Sequence, residues 1–141
     1  HLLEKETLEE FRFLLNFRFD SMSPMALVLV GQTELWENKL KLQRYAAIRQ
    51  RIDMYCTLPH LDRSVTEQYI ASHMDYSGCG QEIFTTKALD EIHKASAGIP
   101  RMINRVCEKA LMYAFQNQKR LIDVYMIKFV VEHEMLGMVT S

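Results

Sequence analysis

The segment that most constrains the fold is Met25-Ala26-Leu27-Val28-Leu29-Val30-Gly31. It is a short, unbroken apolar run rich in β-branched residues and closed by glycine, which predicts a strand buried on both faces. Such strands belong to parallel sheets covered by helices. A second, more marginal strand is expected at Ile52-Asp53-Met54-Tyr55-Cys56-Thr57-Leu58, where apolar and polar residues partly alternate. Two strands do not make a stable sheet by themselves, so this first part reads as incomplete, with further strands expected upstream.

Helices are expected around these strands. Thr7 and Glu10 form a capping-box pattern, with an earlier start of the helix as the alternative, and Leu8, Phe11, Leu14 and Leu15 recur on one face at helical spacing. Asp20, Ser21, Ser23 and Pro24 break the pattern between Asn16 and Pro24. Thr33 is expected to cap a helix from Glu34 to about Lys41, and a second short helix runs from about Tyr45 to Arg51.

Beyond Pro59 the chain reads as helices alone. Asp62 or Ser64 starts one, carrying Val65, Tyr69, Ile70, His73 and Met74, with Gly78 and Gly80 at its end. Thr85 caps the next, with Leu89, Ile92 and His93 on one face and Gly98 closing it. Pro100 opens a third at a first-turn position, where its missing N–H is harmless. Ile103, Val106, Cys107, Ala110, Leu111 and Ala114 give it the clearest apolar stripe in the chain. Asp123 caps the last helix, with Ile127, Val130 and Val131 inward, and the residues after Leu136 read as a tail. The expected organisation is a helix–strand–helix–strand unit over 1–58 and a four-helix bundle over 59–141.

Net charge is −1, with 17 basic and 18 acidic residues, so no global basic excess signals nucleic-acid binding. No apolar run approaches the roughly 20 residues that span a bilayer. There is no signal-peptide pattern, and the opening His1-Leu2-Leu3 lacks an initiator Met, as expected of an excerpt. Cys56, Cys79 and Cys107 are far apart and form no CxxC pair; reduced, mostly buried thiols in a cytoplasmic protein are expected.

The chain contains no G-x-x-x-x-G-K-S/T loop to cradle a triphosphate and no Asp-Glu pair ending a strand to hold magnesium. Gly78-Cys79-Gly80 reads as a flexible turn, and His60, His73, His93 and His133 are scattered. Three places stand out. Gln32 follows the apolar run at the edge where open α/β sheets bind ligands, placed to orient a water or touch a phosphate; an ordinary polar turn is the plainer reading. Arg49 and Arg51 bracket Gln50 before the second strand, and their planar guanidinium groups suit phosphate oxygens; a solvated basic helix end is the alternative. Arg101 stands in the first turn of a helix, where a cation is electrostatically unwelcome. A local rule broken without local gain points to function.

Taken together, Leu29-Val30-Gly31-Gln32-Thr33-Glu34-Leu35, Ile48-Arg49-Gln50-Arg51-Ile52, Phe84-Thr85-Thr86-Lys87-Ala88-Leu89 and Gly98-Ile99-Pro100-Arg101-Met102-Ile103-Asn104 resemble the AAA+ ATPases related to general secretion pathway protein A. Transposon- and phage-associated AAA+ proteins are similar. The resemblance runs from residue 1 to about 136. It implies an α/β remnant of a P-loop NTPase core, with two parallel strands and flanking helices over 1–58, followed by an all-α four-helix AAA+ lid over 59–141. His1-Leu2-Leu3 would then continue an acidic magnesium motif, with the phosphate-binding loop further upstream. Gln32 matches the sensor-1 residue, Arg51 the arginine finger with Arg49 in reserve, and Arg101 the sensor-2 residue of the lid. ATP and Mg2+ are implied as ligands of the parent protein, and none for this chain alone. Implied partners are neighbouring subunits in a ring or spiral, with DNA, a transposase or a secretion component as the target. The competing expectation is a stand-alone helical interaction module binding DNA through Arg101, Arg105, Lys109, Lys119 and Arg120.

Overall fold

The computed structural model describes residues 2–15 and 26–134, the side chains of 12–15 excepted. The expected break at Asn16–Pro24, Met25 at the head of the apolar run, and the tail after Leu136 lie outside the described residues. The chain divides into two compact units, His1–Thr57 and Leu58–Ser141, each described here by itself.

The first unit opens with α1 (Lys5–Leu15). The helix starts ahead of Thr7, so Thr7 is an interior residue and not the cap its spacing suggested. A π-helical turn, Leu35–Leu40, follows the apolar run; Thr33 is already helical, and Glu34 precedes the turn without a side-chain cap. A 3-10 turn, Gln43–Tyr45, leads into α2 (Ala46–Arg49). Leu8, Leu35, Leu40, Tyr45 and Ile48 form the core, with Phe11, Leu29, Trp36 and Ile52 packed on it. Trp36 stacks on Tyr55 with ring centroids 4.4 Å apart, which holds the 52–57 segment to the unit.

The expected α/β remnant with two parallel strands is not formed. Neither 26–31 nor 52–58 is a strand, and no sheet exists among the described residues. The reason lies in what a strand needs. Its N–H and C=O groups must be met by a neighbouring ladder, and no described segment supplies one. Burial along the run alternates: Leu27 and Leu29 are half-buried, while Val28 is 78% and Val30 86% exposed. The run is covered on one side only, so the two-sided burial inferred from its continuous apolar character does not occur.

The second unit is a bundle of α3 (Arg63–Tyr76), α4 (Thr86–Ser96), α5 (Pro100–Gln116) and α6 (Val124–Glu134). Local chemistry explains their starts. The Asp62 carboxylate accepts the Val65 N–H at 2.8 Å, the Thr85 hydroxyl accepts Ala88 N–H at 3.2 Å, and Asp123 accepts Met126 N–H at 3.0 Å. Each satisfies a donor left over in a first turn. Pro100 occupies the first position of α5. Ile70, Leu89, Ile92, Ile103, Val106, Ala110, Ile122 and Ile127 pack in one core. A single parallel bridge joins Phe84 to Ile122 and ties the segment before α4 to the segment before α6.

The inward face of α3 departs from the expected one at its first turn. Val65 is exposed and Thr66 is buried in its place, while Ile70 is buried and Tyr69 and Met74 pack on the core as expected. Thr66 is polar, yet it can turn inward because its hydroxyl meets Nδ1 of His93 on α4 at 3.1 Å. No described helix is long and apolar enough to cross a membrane.

Candidate functional site

In the first unit, Gln32 is exposed at the head of the Leu35–Leu40 turn, and its carbonyl accepts the Leu35 N–H at 2.9 Å. Arg49 ends α2 and reaches back to the far end of that same turn. Its Nη1 donates to the carbonyls of Leu40 at 2.8 Å and Lys41 at 2.9 Å. A cation on the last carbonyls of a helical turn satisfies both their lone pairs and the local dipole. Gln32 and Arg49 therefore stand at opposite ends of one short helical element. Arg51, two residues beyond Arg49, donates from Nη1 to the Ala47 carbonyl at 3.1 Å and is half-buried.

In the second unit, two arginines occupy first-turn positions, Arg63 on α3 and Arg101 on α5, and their surroundings are opposite. Arg63 is neutralised: Nε donates to Asp90 at 2.5 Å and Nη1 to Glu67 at 2.7 Å, with Nη2 near the Thr86 carbonyl at 3.4 Å. Burial opposes the Arg63 charge, but the hydrogen bonds and charges of Asp90 and Glu67 outweigh it and raise its pKa. Arg101 is exposed and makes no hydrogen bond or ion pair with any described residue. The start of α5 also lacks a side-chain cap, since Ile99 has no acceptor to offer. Pro100 has no N–H and the Ile99 carbonyl accepts those of Met102 and Ile103, which leaves the Arg101 guanidinium and its own N–H as the donors at the start of α5.

The turn that presents Arg101 is tightly determined. Ala97 and Gly98 both have positive φ, 50° and 71°. The Ser96 hydroxyl accepts the Gly98 N–H at 3.3 Å, and the Gly98 carbonyl accepts the Leu61 N–H at 2.9 Å. A Cβ on Gly98 would lie 2.0 Å from the Leu61 carbonyl oxygen, so only glycine fits. Ile99 then accepts from Met102 and Ile103 N–H, both at 2.9 Å, and α5 begins. Leu61 was not singled out in the sequence, because its contact with Gly98 spans 37 positions and leaves no local signal.

No group of His, Cys, Asp and Glu among the described residues is arranged to hold a metal ion. The donor set at Arg101 fits an anion such as a phosphate, and nothing there fits a cation. Gln32, Arg49 and Arg51 belong to one unit and Arg101 to the other, and each is characterised within its own.

No protein-family profile matches the chain. No solved structure matches it either. Among curated proteins, General secretion pathway protein A of Aeromonas hydrophila is 38% identical over 115 residues, 82% of this chain. The chain spans 21% of the length of that relative, to which it is similar over that stretch.

Proposed function

We propose that this chain is the sensor, arginine-finger and lid portion of an AAA+ ATPase that couples ATP hydrolysis to assembly or remodelling. The observation that carries the reading is Arg101, an exposed cation fixed in the first turn of α5 that no described residue pairs. Arg63, also in the first turn of its helix, is bound to two carboxylates. The similarity to General secretion pathway protein A adds support.

In this reading Arg101 acts as sensor 2, offering its planar donors to the γ-phosphate oxygens of ATP. Gln32 orients the attacking water. Arg51 is the finger, reaching a neighbouring copy in a ring or spiral and neutralising charge that grows on the phosphoryl oxygens in the transition state. Arg49 stays in reserve as the finger: its Nη1 holds the Leu40 and Lys41 carbonyls, just as that of Arg51 holds the Ala47 carbonyl. ATP and Mg2+ belong to the longer protein, which would contribute the phosphate loop and the carboxylates. The relative's name favours a component of a secretion apparatus as the remodelled target.

The test is made in the longer ATPase to which we assign this chain. Arg101→Ala should lower the preference for ATP over ADP by about tenfold, the worth of one charge-assisted hydrogen bond, with the melting temperature unchanged. Arg51→Ala should abolish hydrolysis and leave ATP binding intact, and mixing it with a magnesium-site mutant should restore activity at hybrid interfaces. An Arg101→Ala protein that melts early yet keeps its ATP preference overturns the assignment.

A further inference from the structure

Two helix starts in the second unit are joined by one backbone contact. Leu61 immediately precedes Asp62, the cap of α3; Gly98 precedes Ile99 and Pro100, which begin α5. The Leu61 N–H donates to the Gly98 carbonyl at 2.9 Å. At the same place the Leu61 carbonyl oxygen fills the space that a side chain on Gly98 would need, 2.0 Å from the ideal Cβ position. Backbone lies directly against backbone, with no side chain between to yield, and Gly98 is buried.

The contact is held rigidly on both sides. On the α5 side, Gly98 N–H is bound by Ser96 Oγ, Ile99 N–H by the Ser96 carbonyl at 3.0 Å, and Pro100 fixes the next φ. Arg101 follows with no freedom left in the turn beneath it. On the α3 side, Asp62 accepts Val65 N–H through its side chain and Thr66 N–H through its carbonyl, both at 2.8 Å. Leu61 lies in the segment with which the second unit begins, directly after Thr57 ends the first.

We propose that Gly98 and Leu61 are positioning residues for Arg101, a clasp by which displacement of the 58–62 segment is passed to the direction of the guanidinium. The proposal rests on the sensor reading of Arg101 and supplies its regulation. A stiff contact with two arrangements, closed and parted, biases the site only if a ligand favours one of them. Phosphate held by Arg101 favours the closed one, because only then is the first turn of α5 seated.

In the longer ATPase, Gly98→Ala forces the clasp apart without changing the Arg101 side chain itself. It should reduce the ATP-over-ADP affinity ratio by about fivefold or more, the lower range of measured couplings. ADP affinity should stay near that of the unmutated protein. Leu61→Pro removes the N–H that closes the clasp and should act the same way. An unmutated protein gives an independent reading that needs no variant: exchange of the Leu61 amide hydrogen should slow at least fivefold with a non-hydrolysable ATP analogue relative to ADP. Loss of melting temperature with an unchanged affinity ratio, or Leu61 exchange indifferent to nucleotide, overturns the clasp. Arg101→Ala run in parallel separates the two levels. If Arg101→Ala leaves the ratio unchanged, the sensor reading itself has failed; if it lowers the ratio and Gly98→Ala does not, only the clasp has.

Discussion

Cys107 shows how one side chain records its surroundings. It stands on α5 against the bundle core, and burial pushes its thiol from 9.0 up to about 12. The unfolded chain releases this proton near its ordinary value, the folded chain near 12. Between those values the unfolded state binds fewer protons, so stability contributed by the neutral thiol falls as pH rises from about 9 towards 12. The thiolate is also the reactive form. At pH 8, iodoacetamide should modify Cys56, which is exposed, and leave Cys107 unmodified until denaturant is added. Equal labelling of both in the folded protein would contradict this placement. The expectation of mostly buried thiols is corrected: Cys56 is exposed, and Cys79 and Cys107 are half-buried.

At the scale of elements, the α4–α5 turn is the informative one. Ala97 has φ 50°, a left-handed conformation that L-residues adopt at a cost of about 1–2 kcal/mol. Glycine adopts it freely but gives up more chain entropy on folding. Ala97→Gly should therefore stabilise the bundle by about 0.5–1 kcal/mol, read as a higher urea midpoint with an unchanged slope. A lower midpoint would mean that the Ala97 methyl contributes packing worth more than the backbone strain. Gly98 is the reverse case. Its carbonyl-side space is filled by Leu61, so no side chain is tolerated there, whatever its conformational preference. Two adjacent left-handed residues thus respond oppositely to substitution. One position is limited by the backbone torsion alone and the other by a neighbour 37 positions away.

At the scale of the molecule, the two units have separate cores, one around Leu8, Tyr45 and Ile48, the other around Ile92, Ile103 and Ile127. Neither unit contains a glycine-rich phosphate loop, and the described residues contain no metal-ligand cluster. Calorimetric titration of the 141-residue chain with ATP and magnesium is therefore expected to show no binding in the micromolar range. Micromolar affinity would mean that this chain alone forms a nucleotide pocket and would overturn the proposal that it is a portion of a larger ATPase.

What the sequence determined by itself is local. Asp62, Thr85, Asp123 and Pro100 mark helix starts because a cap needs only a side chain and an N–H two or three residues away. The stripe of Ile103, Val106, Ala110 and Ala114 was legible for the same reason, since helical period and buried face coincide along one element. What only the tertiary structure decided is where distant segments meet. A strand exists through its neighbours, so the apolar run 26–31 carried the composition of a strand without becoming one. The inward face of α3 depended on His93 across the bundle, which let Thr66 displace Val65 from the core. Arg63 and Arg101 look alike in sequence, each a cation in the first turn of a helix; Asp90, 27 positions away, neutralises one and no described residue answers the other. Contacts within a turn are set by chain geometry and leave a pattern to read. Contacts across the bundle are set by packing of the whole unit, which no local pattern encodes.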